Sequence, residues 1–218
     1  MLINHSRKTQ SFLLLLLFGL MAHLLSCADK DFGEIQTGLS QFKDGNGVFI
    51  INEGNFGNGN GSLSFLNLDS MKIYNNIFYQ ANNRPLGDVP FSMALFEEEV
   101  WVVVNNSGRI EALDKKDMTS VAVIDGFTSP RFLLPVDDRK VYVSDLYSPE
   151  IKVVNQSDKI AETTINIGRS SEQMILAGGK VFVAFWSNYG FPDFENNQLF
   201  VIDPETDFLI DSITVGKE

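Results

Sequence analysis

The chain has 218 residues, of which 44% are hydrophobic, with 17 basic side chains against 28 acidic ones and a formal charge of −11. That hydrophobic share excludes a disordered or low-complexity chain. The acidic excess excludes nucleic acid as a partner, because phosphate contacts need clustered Lys and Arg and an acidic body repels phosphate at long range.

The first element does not belong to the fold. Arg7 and Lys8 precede the apolar run FLLLLLFGLMAHLL, residues 12–25, which is short for a membrane span and sits where a secretory signal has its hydrophobic stretch. Leu24-Leu25-Ser26-Cys27 resembles the lipobox of bacterial lipoproteins. The resemblance implies that residues 1–26 are removed and that Cys27, the only Cys of the chain, carries a lipid anchor. Behind it, Asp29, Asp31 and Glu34 resemble the acidic signal that sends some of these lipoproteins to the cell surface. Residues 27–45 then read as a lipidated linker. Both histidines, His5 and His23, leave with the leader, so the mature body has neither imidazole nor free thiol. Ser-His-Asp and Cys-His nucleophile systems, and the His or Cys ligands of zinc, copper and haem sites, are excluded, and no cofactor or metal is implied. Loss of Arg7 and Lys8 takes the formal charge from −11 to −13.

The body is repetitive. Apolar, β-rich runs occur at VFIIN (48–52), VWVVV (100–104), VYVSD (141–145) and VFVAF (181–185), with starts 52, 41 and 40 positions apart, about the length of one propeller blade. Each is followed by a second strand pattern, SLSFLN (62–67), RIEALD (109–114), EIKVVN (150–155) and QLFVID (198–203), then by a turn and a third, MKIYNNIF, MTSVAVIDG, DKIAETTINIG and DFLIDSITVG. Before three of the four lies a further short run, at 91, 131 and 173. Four short strands per unit with turn residues at regular spacing predict an all-β fold, a β-propeller of four-stranded antiparallel blades at about 46–88, 89–127, 128–168 and 169–218. No connection is long or periodic enough for crossover helices, so helix is expected mainly in the leader. Trp101 aligns with Phe49, Tyr142 and Phe182 and reads as blade core.

SPRFLLPVDDRKVYVSDLYSPEIKVVNQSDKIAETTINIG, residues 129–168, resembles the YVTN-type propeller repeat: a Pro-led inner strand, a Tyr-Val strand, a strand ending in Asp or Asn and a closing I-x-I-G. QLFVIDPETDFLIDSITVG shares its turn. The similarity spans residues 46–218 and, with the lipobox and the NEGNFG stretch, the chain resembles the YncE-like, DUF5074-like surface lipoproteins. Some proteins of that kind capture vitamin B12 for a TonB-dependent outer-membrane transporter. The resemblance therefore implies a lipid-anchored outer-membrane protein facing the cell exterior, with a corrinoid as its ligand. Repeats of this type commonly number seven, and the chain stops at Gly216-Lys217-Glu218 in register with Gly168-Arg169-Ser170, so a truncated, larger propeller is expected, with apolar faces bare at both ends.

Loop variation points to one face. NEGNFGNGNG, residues 52–61, carries four Asn and four Gly, types suited to the positive φ of tight turns. Turn chemistry leaves Glu53, Asn55 and Phe56 unaccounted for, and these become ligand candidates. The corresponding connections supply Asn105 and Asn106, Asp145 and Tyr147, and, in the longest loop, Trp186, Asn188, Tyr189 and Phe191. YQANNRPLGDVP (79–90) adds Tyr79 and Arg84, the latter suited to a carboxylate, amide or phosphate. Rigid rings beside amides suit a flat ligand such as a corrinoid. A glycan-binding or adhesive surface protein is the alternative reading. A propeller hydrolase pairing carboxylates such as Glu53, Asp145, Asp193 and Glu195 is a third, but no catalytic residue is assigned and the expectation is a binding protein. Asp69-Ser70-Met71 and Asp211-Ser212-Ile213 also resemble the O-glycosylation tripeptide of some secreted bacterial proteins.

Overall fold

The computed structural model describes residue 42 and residues 45–185 and 197–216. The leader, Cys27 and most of the linker lie outside the described residues. Four antiparallel sheets follow one another along the chain, each hydrogen-bonded in sequence order. The first holds β1 (Gly47–Asn52), β2 (Ser62–Asn67) and β3 (Lys72–Tyr74), and the second β4 (Pro90–Leu95), β5 (Glu99–Val104), β6 (Arg109–Asp114) and β7 (Ser120–Ile124). The third holds β8 (Pro130–Pro135), β9 (Lys140–Asp145), β10 (Glu150–Asn155) and β11 (Ile160–Asn166), and the fourth β12 (Met174–Ala177), β13 (Lys180–Val183), β14 (Gln198–Asp203) and β15 (Phe208–Thr214). This is the all-β blade arrangement of a propeller. The first sheet has three strands among the described residues, matching the missing inner run before VFIIN.

In the second and third sheets the strand that reads as unbroken apolar sequence is buried on both faces. Successive side chains point to opposite faces. In β5, Val100, Val102 and Val104 therefore pack with Leu63 and Phe65 of the first sheet. Trp101 and Val103 pack with Val141 and Val143 of the third. Tyr142 in turn joins Val181 and Val183 of the fourth, and its hydroxyl donates to Asp207, which also holds Lys140 Nζ at 3.0 Å. Burial first, then the Asp207 carboxylate, push the Tyr142 pKa far up. At the same register in the last sheet, Phe182 faces the other way from Val181 and Val183 and is only half-buried, because no described sheet covers that side. Ile175, its cross-strand partner, is 61% exposed. Phe42, from the expected linker, is buried edge-on to Phe65 at 5.2 Å and extends the first interface.

One expectation fails. MKIYNNIF does not form a full third strand: β3 ends at Tyr74, and Ile77–Asn82 is a helix, α1. Asn76 takes the left-handed conformation at φ 54°, breaking the strand. Ile77 and Phe78 are then fully buried against the first interface. Asn83, also left-handed, ends the helix by donating its N–H to Tyr79 O. Asn82 ties the helix to the second sheet, giving its amide to Met118 O at 2.9 Å and accepting from Ser120 N at 2.8 Å. A short helix thus also occurs in the body.

Candidate functional site

The variable connections gather on one face because backbone and short polar side chains bond from each blade to the next. Gly61 donates to Gly87 O at 3.0 Å, an approach so close that a Cβ on Gly61 would sit 2.0 Å from Pro90 Cδ. Asp88 accepts from Gly57 N at 2.9 Å, Gly59 N at 3.4 Å and the Asn106 amide. Gly57 and Gly59 adopt φ of 81° and 61°, so this Asn/Gly loop is built to turn its amides onto a carboxylate. Buried Asn105 donates to Ser129 Oγ and Pro130 O, both at 2.8 Å. Asp145 accepts from Thr128 N at 2.8 Å and from Ser129 N and Tyr147 N at 3.0 Å, while Ser171 N reaches Asp145 O at 3.1 Å.

The bond from Asn106 foremost, then those from Gly57 and Gly59, hold the Asp88 carboxyl below its ordinary pKa. A lowered carboxylate contributes stability above its unfolded pKa and loses it as pH falls through the lower folded value. The Asn/Gly loop should accordingly loosen on acidification below about pH 4. Asp88→Asn should show amide exchange at Gly57 and Gly59 that is already fast at neutral pH; equal protection in both forms would refute the tie.

Inside this rim the inner strands β4, β8 and β12 adjoin. Their upper ends bring together residues that the reading of loops missed. A cavity of about 310 Å³ is lined by Arg131, Phe132, Glu172, Gln173, Ala184 and Phe185. Arg131 Nε donates to Glu172 Oε1 at 2.9 Å, and its guanidinium lies 3.6 Å from the Phe91 ring centroid. Phe91 meets Phe132 edge-on at 5.3 Å. Arg169, fully buried, lies 4.0 Å over Phe185. Burial pushes Glu172 above the usual carboxylate range despite Arg131, and pushes Arg169 down. Cations stacked on rings inside so acidic a chain form an amphipathic mouth with few, directed polar groups. The available signal was a charged residue in or just before each of two otherwise apolar inner runs, Arg131 after Pro130 and Glu172 before QMILA.

The sequence-predicted residues divide into two sets. Glu53 and Asn55 are exposed on the rim, as are Phe56 at 78% and Tyr147 at 49%, whereas Tyr79, 54% exposed, lies on α1, whose Asn82 is tied to Met118 and Ser120 at the opposite turn, and so is not gathered with the rim residues. Asn55 N bonds Asn60 Oδ1 at 2.8 Å. Asn105, Asn106 and Asp145 are engaged in the blade-to-blade bonds above. Arg84 also turns inward, gripping buried Glu111 with two bonds of 2.9 and 2.8 Å and lying over the Phe78 ring. The carboxylate it suits is thus one of the chain's own. Trp186, Asn188, Tyr189 and Phe191 lie outside the described residues.

Comparison with known proteins agrees with this architecture. The chain is similar to the structure of U3-55K, with a TM-score of 0.58 at 11% identity over 87% of this chain and 55% of that one. It is similar to a chain of the mitotic checkpoint complex, with a TM-score of 0.56 at 10% identity over 73% of this chain and 48% of that one. It is also similar to Kuenenia stuttgartiensis hydrazine synthase, with a TM-score of 0.50 at 17% identity over 59% of this chain and 36% of that one. At such identities the likeness is one of fold, and the chain spans only 36% to 55% of these three solved chains. No curated protein matches the sequence. Residues 46–218 match the family described as "Domain of unknown function (DUF5074)", a match that spans every sheet described above, and the chain belongs to that family.

Proposed function

We propose that the chain is a lipid-anchored surface protein that binds a small ligand on the loop-bearing face of its propeller, centred on the mouth between β8 and β12. The supporting observation is the cavity of about 310 Å³, where the Arg131–Glu172 pair sits among Phe91, Phe132 and Phe185. Cavities of that size with apolar walls and a few directed polar groups suit small molecules. Binding is favoured over hydrolysis because Asp145, one candidate acid or base, has both oxygens taken by backbone N–H groups. The resemblance of sequence to cobalamin-capturing lipoproteins makes a corrinoid the ligand, handed on to a TonB-dependent outer-membrane transporter.

Incubating the purified protein with cyanocobalamin and passing it over a sizing column tests this: the coloured ligand should co-elute with the protein. Free elution removes the corrinoid. A second reading, a glycan, is favoured by the exposed rings of Phe56 and Tyr147 on the rim, and binding to a glycan array instead would select it. The anchor is tested separately: Cys27→Ala should move the protein from the membrane to the soluble fraction, and continued sedimentation with membranes would refute the lipidation.

A further inference from the structure

The last strand of each sheet lies at its outer edge, where among the described residues the backbone groups on one side have no strand to pair with. Three of these strands carry a charged side chain that discourages pairing with another chain: Lys72 in β3, Glu162 in β11 and Asp211 in β15. β7 reads SVAVI and carries none. At its start Ser120 N donates to Asn82 Oδ1 at 2.8 Å, which leaves residues 121–124 as the open edge. Val121 and Val123 are 49% and 42% exposed there.

Cations flank this edge on both sides. Toward the segment after α1, a cavity of about 620 Å³ is lined by Arg84, Arg109, Val123 and Asp125. Toward the third sheet, a cavity of about 400 Å³ is lined by Lys152, Lys159 and Ile160 together with the same Val123 and Asp125. Arg84 gives two N–H groups to Glu111, and Arg109 gives one to Glu111 and one to Leu86 O, so each guanidinium keeps further donors. Their side chains are 38% and 26% exposed. Lys152 Nζ stands 5.9 Å over the Phe127 ring and has no carboxylate partner among the described residues, while Lys159 is held by Glu99 at 2.9 Å. Four cations thus meet three carboxylates, Glu99, Asp125 and fully buried Glu111, in a chain whose total charge is −11. We propose that the open edge of β7 is a docking surface for an extended acidic segment of a partner protein, which adds a strand beside β7 and sets its carboxylates on the flanking cations. Docking here is independent of any ligand on the loop-bearing face.

Strand addition fixes the pattern that the partner must carry. Successive side chains of an added strand point to opposite faces, so two adjacent acidic residues reach one cavity each. One meets Arg84 and Arg109, and the other meets Lys152 and Lys159. Apolar neighbours then cover Val123 and Ile160, the latter 60% exposed. A basic segment would be repelled by the same cations, and pairing of β7 with β7 of a second copy would set cations against cations. The partner is therefore a different, acidic chain.

NMR titration of the whole isotope-labelled protein with capped hexapeptides tests the proposal. A peptide with two adjacent aspartates, flanked on each side by a valine and a threonine, should shift the amides of residues 121–124. It should bind about tenfold more tightly than the same peptide with serines in place of the aspartates, a preference that fades at about 0.5 M salt. N-methylating its backbone, which prevents pairing with a strand edge, should weaken it by about tenfold or more, and Lys152→Glu should weaken it by about tenfold. Should that variant unfold, the three peptides on the unaltered protein decide the matter alone. Equal binding of the aspartate and serine peptides, indifference to N-methylation, unchanged affinity in a folded Lys152→Glu variant, or no binding at all would overturn the assignment.

Discussion

Glu111→Ala is expected to destabilise the fold by about 3–5 kcal/mol, read as a lower urea midpoint with an unchanged slope. Glu111 lies on β6 and is fully buried, which an ionised carboxylate tolerates only with close compensation. It accepts from Arg84 Nη1 and Nη2 at 2.9 and 2.8 Å, from Arg109 Nε at 2.9 Å and from Ser120 Oγ at 3.0 Å, two bonds to each oxygen. Arg109 also donates to Leu86 O at 2.9 Å, so the cluster joins the segment after α1 to the second sheet. Removing the carboxylate leaves two guanidinium groups facing one another with no anion between them. Arg84→Met should cost less than Glu111→Ala, because Arg109 and Ser120 still satisfy the carboxylate. A loss under about 1 kcal/mol for Glu111→Ala would show the cluster to be dispensable, as exposed ion pairs are.

Trp101→Ala should cost a similar amount, about 3–5 kcal/mol, by a different route. The indole is fully buried between the second and third sheets, tilted against Phe96 at 4.9 Å, with its N–H bonded to Glu99 Oε2 at 2.7 Å. Truncation removes the largest side chain of that interface and opens a cavity that close-packed neighbours cannot fill. Phe182→Ala, at the same register on the uncovered side of the fourth sheet, should cost less than half as much, since its ring is only half-buried. Equal losses at the two positions would mean that the side of the fourth sheet carrying Phe182 is covered in solution.

The blades were legible because their signals are local. A doubly buried strand shows as VWVVV or VYV, and turn residues recur at a period of about forty. Helix α1 was not legible, because IFYQAN carries no stronger helical signal than MKIY carries strand. The choice is made by two left-handed Asn residues and by the fit of Ile77 and Phe78 into a distant interface. The site was read by half. Exposed aromatics in the connections after β1 and β9 could be placed on the rim from topology alone, as Phe56 and Tyr147 were, but Tyr79 lies on α1, whose end is tied to the opposite turn. Whether a polar residue faces a ligand or a neighbouring blade depends on partners far along the chain. Arg84 finds Glu111, Asn105 finds Ser129, and Arg131 finds Glu172, pairs separated by 27, 24 and 41 positions.

The central claim, that one face of the propeller binds the ligand, is tested most directly by hydrogen–deuterium exchange with and without saturating cyanocobalamin. Slower exchange is predicted in the connections of the loop-bearing face, residues 53–61, 84–89, 105–108, 128–132 and 169–173, with the opposite turns at 68–71, 96–98, 115–119 and 156–159 unchanged. Protection confined to those opposite turns, or spread evenly over both faces, would contradict the account.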